Sequence, residues 1–170
     1  GREHPKVTRF AASDPFRARL GSLINRYFAI QTALAADDIE GALGAVPAFE
    51  DGLKSFDTNG LAEGARAAWE AVEAKMGDAA RGLKSVEDIG AARRHFHPLS
   101  LGIIAAASSF QPTGLNSVFE VYCPMAFDFE GAPWIQEGRE INNPYFGAEM
   151  LRCGHVERDL LTVTGSSHGE

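Results

Sequence analysis

The chain has 170 residues, 45% hydrophobic and 23% charged, with a formal net charge of −7. That length suits one domain able to bury its own core, and the composition argues against both a disordered chain and a coiled coil. Sixteen basic residues face 23 acidic ones, and Arg93-Arg94 is the nearest approach to a basic cluster, so nucleic acid is not an expected partner.

The longest apolar stretch, Leu101 to Ala107, falls well short of the roughly 20 residues a membrane span requires, and no transmembrane segment is expected. No signal peptide pattern opens the chain. Residues 1–12 are polar and without period, and read as a linker or the remnant of a longer protein.

Ser13-Asp14-Pro15 predicts a helix start, with a capping side chain and a proline in the first turn. Phe16, Leu20, Leu23, Ile24, Tyr27, Phe28 and Leu34 follow at three- and four-residue spacing, one helical stripe. Asp37-Asp38 predicts the cap of a second helix over 38–55, with Pro47 bending or shortening it. After the turn Asp57-Thr58-Asn59-Gly60, a third helix is expected from about Leu61 to Gly82, burying Ala65, Trp69, Val72 and Met76. Ser85 with Asp88 resembles a capping box, opening a fourth helix that runs to about Phe110 with a kink at Pro98.

Beyond Gln111-Pro112-Thr113-Gly114 the helical period stops. Val118–Tyr122 reads as a short strand. Gly, Pro, Asn and aromatic residues then dominate to Gly154, predicting an irregular but ordered segment with a short helix around 145–152. Trp134 is expected to anchor that segment to the helices. The expected fold is therefore mainly α. A four-helix bundle, up-down-up-down, occupies 13–111 of a single domain over 13–164. An irregular Cys/Met-bearing segment spans 115–156, and a disordered tail spans 165–170.

The concentrated chemistry is sulfur. Both cysteines and two of the three methionines fall within 31 residues. Cys123 and Met125 would share one side of an extended segment, and Met150 and Cys153 one face of a helix. Thiolate and thioether are soft donors suited to Cu(I) and Ag(I), whereas zinc rarely takes thioether. His155 could replace one sulfur and admit Zn(II), and His97, beside Pro98, could reach the cluster from the helices.

Two other readings of the sulfurs stand beside this one. A Cys123–Cys153 disulfide would stabilise the fold by roughly 3–4 kcal/mol, and two free buried thiols with methionines filling gaps is the third possibility. His95 and His97, two apart on a helix, should point in different directions, one exposed and one near the kink. Ser100, Ser108 and Ser109 lack a nucleophile elbow, and Asp57, Glu63, Glu70 and Glu73 read as solvated helix faces. Asp128 and Glu130 have no calcium-loop pattern around them. No acid–base or nucleophile constellation appears, so an enzyme is not expected.

The run Val121-Tyr122-Cys123-Pro124-Met125-Ala126-Phe127-Asp128 is distinctive. So are Gly131-Ala132-Pro133-Trp134-Ile135-Gln136, Ile141-Asn142-Asn143-Pro144-Tyr145-Phe146-Gly147 and Met150-Leu151-Arg152-Cys153-Gly154. Together they resemble the C-terminal domain of unknown function of CusB-type periplasmic adaptor subunits of copper/silver efflux pumps, a domain also found as a separate exported protein. Tyr27–Asp38 and Phe96-His97-Pro98-Leu99-Ser100 fit the same family, and the resemblance spans roughly 16–156.

The resemblance implies a periplasmic or cell-envelope setting and a link to copper or silver handling, with no catalytic activity. It implies pump components or a periplasmic metallochaperone as partners, and Cys123, Met125, Met150 and Cys153 as the metal-binding set. The chain carries none of the hairpin or barrel segments of a full adaptor. The expected function is a Cu(I)- or Ag(I)-binding module; the alternative is a disulfide-stapled interaction domain with no metal site.

Overall fold

The computed structural model describes residues 7–161. It is mainly helical, with five helices followed by a small three-stranded antiparallel sheet. Helix α1 spans Asp14–Ala35, and Ser13 Oγ accepts the Phe16 N–H at 3.2 Å, with Pro15 in the first turn. All seven residues of the predicted stripe are buried.

The expected second helix is two helices, α2 (Ile39–Gly44) and α3 (Val46–Leu53). Pro47 is the cause: it has no N–H to donate back, so it is accommodated only within the first turn of a new helix. Helices α4 (Glu63–Leu83) and α5 (Ile89–Phe110) follow. The predicted capping box gives way to a simpler cap. Asp88 Oδ1 accepts the Ala91 N–H at 2.8 Å, whereas Ser85 Oγ donates back to the Gly82 carbonyl. Helix α5 runs through Pro98 without ending.

Helix α5 packs on α4 along one side and on the sheet along another, while α1 touches α2, α3 and α5. Phe16, Phe56, Trp69 and Phe110 form one aromatic cluster between the helices. Phe10, in the expected linker, stacks on Phe110 at 5.5 Å. A second cluster, Tyr27, Phe96 and Tyr145, joins the helices to the C-terminal segment. Among the described residues no helix is long and apolar enough to cross a membrane. The expected tail, 165–170, lies outside the described residues.

The sheet has the order β2-β1-β3, with β1 (Phe119–Cys123) between β2 (Ala132–Gln136) and β3 (His155–Asp159). Only β1 was predicted. Pro133 argues against a strand, but β2 is an edge strand, where a missing N–H is tolerated; all five of its residues are buried against α5 and its neighbours. The β1–β3 pair contains a bulge. Glu120 faces Arg158, but Val121 faces Val156, so the register shifts by one residue just before Cys123. The short helix expected around 145–152 is a single 3₁₀ turn, Gly147–Met150, which stops before Cys153.

Candidate functional site: a thiol pair between strands

The sequence-predicted cysteines meet. Cys123 Sγ and Cys153 Sγ are 3.3 Å apart, a hydrogen-bond contact between two thiols that are not disulfide-bonded. Cys123 closes β1 and is fully buried; Cys153 lies two residues before β3 and is half-buried. Antiparallel pairing of β1 with β3 brings them near one another: Tyr122 faces His155, Cys123 follows on β1, and Cys153 lies just across Gly154 on the approach to β3.

Cys153 is fixed on three sides. Its N–H donates to the Met150 carbonyl at 3.1 Å, and its own carbonyl accepts Asn143 Nδ2 at 2.8 Å. Its thiol accepts the Met125 N–H. Burial and the neighbouring Cys123 thiol push the Cys153 thiol up to about 11, against the opposing pull of the Met125 N–H. Gly154, with φ +136°, turns the chain into β3, and a Cβ there would sit 3.1 Å from the Tyr122 carbonyl oxygen and 3.2 Å from Trp134 Cη2.

The methionines reach this pair by routes other than those expected. Met125 lies in a turn after β1, not in an extended segment, and it contacts Cys153 through its backbone N–H. Met150 ends the 3₁₀ turn and contacts Cys153 through its carbonyl. Both methionine side chains are half-buried, and Met125 packs against the core.

His97 is half-buried and stacks on Phe127, with ring centroids 5.3 Å apart and an interplanar angle of 17°. Burial holds its ring below the ordinary histidine range; Glu130 opposes that shift and Lys75 adds to it. His95 is also half-buried and lies against Gly82 of α4, so the two histidines do diverge, but neither is the exposed one expected. His155, the expected substitute for one sulfur, has its Nε2 on Glu157 Oε2 at 2.7 Å. Among the described residues no three His, Cys, Asp or Glu side chains gather as a metal-holding group.

The segment joining β1 to β2 is conformationally unusual. Phe127, Asp128 and Phe129 have φ of 54°, 56° and 69°, three successive non-glycine residues in the left-handed region. Each costs about 1–2 kcal/mol. Packing offsets the cost: Phe127 sits between the His97 and Tyr145 rings, and the Gly131 N–H closes the turn on the Ala126 carbonyl at 2.9 Å. Phe129 is left 74% exposed.

Two buried amides, Asn143 and Gln136, position this segment. Asn143 is fully buried; its Oδ1 accepts the N–H groups of Tyr145 and Phe146 while its Nδ2 holds Cys153. The Asn-Pro pair is the cue for such an Asx turn. Gln136, also buried, accepts from Trp134 Nε1 and the Asn142 N–H and donates to the carbonyls of Gly138 and Glu140. Trp134 is fully buried on β2, as an anchor should be.

Tyr27 hydrogen-bonds Ser100 Oγ at 2.7 Å and accepts the Ile135 N–H, and Tyr145 donates to the Pro133 carbonyl at 2.6 Å. Burial raises both tyrosines well above their ordinary value, so they serve as neutral ties between helix and sheet. Arg93 reaches the carbonyls of Pro144 and Leu34 and Asp37 Oδ1, while Asp37 Oδ2 accepts the Ala148 N–H. That clasp fastens the 3₁₀ turn to the α1–α2 corner.

The arrangement offers two adjacent soft donors with a protected interior and one partly open side. No curated protein and no solved structure matches the chain. A family model does, over residues 23–114, from within α1 to partway along the loop after α5; the sulfur-bearing segment lies outside that stretch. With more than half of its length matched, the chain belongs to the family described as a protein of unknown function, DUF3347.

Proposed function

We propose that this domain is a non-catalytic module that holds a soft monovalent cation, Cu(I) or Ag(I), on Cys123 and Cys153, with Met125 and Met150 as thioether donors. The single observation that carries the reading is the 3.3 Å approach of two thiols, one closing β1 and one on the segment leading into β3. Two thiolates and flanking thioethers form a donor set matched to soft ions. Burial and the Cys123 thiol keep Cys153 protonated, the Met125 N–H offsets this only in part, and an incoming cation would have to displace that proton. Engagement of the His155 ring by Glu157 weighs against the Zn(II) variant, and His97 is retained only as an outer residue that shapes the turn bearing Met125.

The resemblance to the C-terminal domain of CusB-type adaptors supplies the setting for this reading: the periplasm or cell envelope, with efflux-pump components or a metallochaperone as partners. On the same reading α1, α2 with α3, α4 and α5 are the four arms of an up-down-up-down bundle.

Anaerobic Cu(I) titration of the reduced protein against a competing chelator tests the proposal. One tight site is expected, lost in Cys123→Ser and weakened in Met125→Ala and Met150→Ala. Unchanged affinity in Cys123→Ser refutes the ligand set. The second reading, a disulfide-stapled interaction domain, is favoured by the same distance, because two sulfurs bound to one metal would sit about 3.5–4.5 Å apart. Thiol titration without reductant separates the two: a staple leaves no reactive thiol even after denaturation.

A further inference from the structure

The two sulfurs are close but not equivalent. Cys123 Sγ is sealed at the end of the central strand, with the Cys123 side chain fully buried among core residues. Cys153 stands on the half-buried approach to β3. Its main chain is anchored at both ends, by Asn143 Nδ2 and by the Met150 carbonyl. Its side chain therefore has a fixed base from which it can meet either Cys123 or a molecule arriving from outside.

We propose that Cys153 and Cys123 form a directional dithiol–disulfide couple, in which Cys153 is the sulfur that exchanges with a small external disulfide and Cys123 is the sulfur that resolves the adduct. In the oxidising direction Cys153, held mostly as the thiol by burial and by Cys123, first gives up its proton to solvent, and the thiolate so formed attacks one sulfur of R–S–S–R. An S–S bond to Cys153 forms and one RS⁻ leaves. The Cys123 thiolate then attacks Cys153 Sγ, forming the internal disulfide and releasing the second RS⁻. The two protein thiols lose two protons and two electrons; the external disulfide is reduced to two RSH, which take up both protons.

Closing the bond contracts the contact from 3.3 Å to about 2.05 Å. In the reducing direction an external thiolate reaches Cys153 Sγ, and Cys123 is the leaving group, because the Cys123 sulfur is shielded from attack. The couple requires no metal. Where the metal reading also holds, oxidation withdraws both thiolates at once and turns the site off.

The reduced full chain, freed of metal with a chelator, is mixed with oxidised glutathione, quenched in acid at intervals and weighed intact. Wild type is expected to lose both thiols and end without an adduct. Cys123→Ser is expected to stop with one glutathione bound at residue 153. Cys153→Ser is expected to react at least about tenfold more slowly, because its remaining thiol is buried. In urea the two variants should react alike, since the asymmetry belongs to the fold.

Limited alkylation of unsubstituted protein, followed by peptide mapping, repeats the test without relying on either variant; Cys153 should be labelled first. Equal rates for the two variants, first labelling at Cys123, or wild type halted at a mixed disulfide would each overturn the proposal. Failure of the Cu(I) titration leaves this exchange intact, and failure of the exchange leaves metal binding intact, so the two readings fall separately.

Discussion

The contact between Cys123 and Cys153 depends on the register of β1 against β3, and the Glu120–Arg158 pair pins that register. Arg158 donates from Nε at 2.9 Å and from Nη2 at 2.6 Å to Glu120 Oε1, and Nη2 also reaches Ser108 Oγ of α5 at 3.3 Å. The Glu120 side chain is only 4% exposed and that of Arg158 19%. Replacing Arg158 with Met keeps most of the aliphatic stem and strips a buried carboxylate of its guanidinium. Breaking such a pair from one side costs about 3–5 kcal/mol. Replacing both residues, as Glu120→Leu with Arg158→Met, removes the charge together with its partner and should recover most of the loss.

Urea unfolding of wild type, both single variants and the double variant completes the cycle. Because the bulge lies between Glu120 and Val121, the Arg158 variant should also slow closure of the cysteine pair by oxidised glutathione while the other strand, β2, stays paired. A loss below about 1 kcal/mol for Arg158→Met, or a double variant that loses the sum of the singles, would refute the argument that this pair sets the register.

Other expected outcomes follow from the same contacts. Arg93→Met removes the side-chain donor of the Pro144 carbonyl and one of the two donors of the Leu34 carbonyl, and should cost about 1–3 kcal/mol in urea unfolding, with faster hydrogen exchange in the 3₁₀ turn. The Ala148 N–H, and then Arg93, hold the Asp37 carboxyl below its ordinary value of 3.8. Its contribution is therefore present above that value and lost as pH falls through the lower folded value. A melting-temperature series from pH ~5 to pH ~2 should fall less steeply in Asp37→Asn than in wild type. Gly154→Ala forces a side chain onto φ +136° and against Trp134; a loss of about 1–3 kcal/mol and altered Trp134 fluorescence are expected.

The helical half was legible because its signals are local. Ser13 before Asp14-Pro15, the break at Pro47 and the apolar stripes of α1 and α4 depend on neighbours within a few positions. The C-terminal half was legible only in part because its elements are held by distant partners. Strand β3 reads His155-Val156-Glu157-Arg158-Asp159, with no apolar alternation, since its buried charge is matched across the sheet by Glu120. Strand β2 contains a proline that only its edge position permits. The left-handed run at Phe127–Phe129 includes no glycine or asparagine to announce it, and it rests on His97 and Tyr145, far away in sequence. The meeting of Cys123 with Cys153 was anticipated from side-chain spacing within each prong, yet strand pairing produces it; neither the extended Cys123–Met125 segment nor the Met150–Cys153 helix formed.

A cross-link between these cysteines, whether a metal or a covalent bond, joins β1 to the approach of β3, and that has a thermodynamic signature. A metal that binds only the folded chain stabilises it by RT ln(1 + [L]/Kd), so the melting temperature climbs with free metal concentration. A disulfide acts mainly by restricting the unfolded chain, by roughly 3–4 kcal/mol for a loop of this size, independent of any added ligand. Reduced protein should therefore show a melting temperature that rises continuously with buffered Cu(I), and oxidised protein one fixed higher value that Cu(I) does not move. Equal Cu(I) response in both redox states would mean that the cation binds elsewhere than on these two sulfurs.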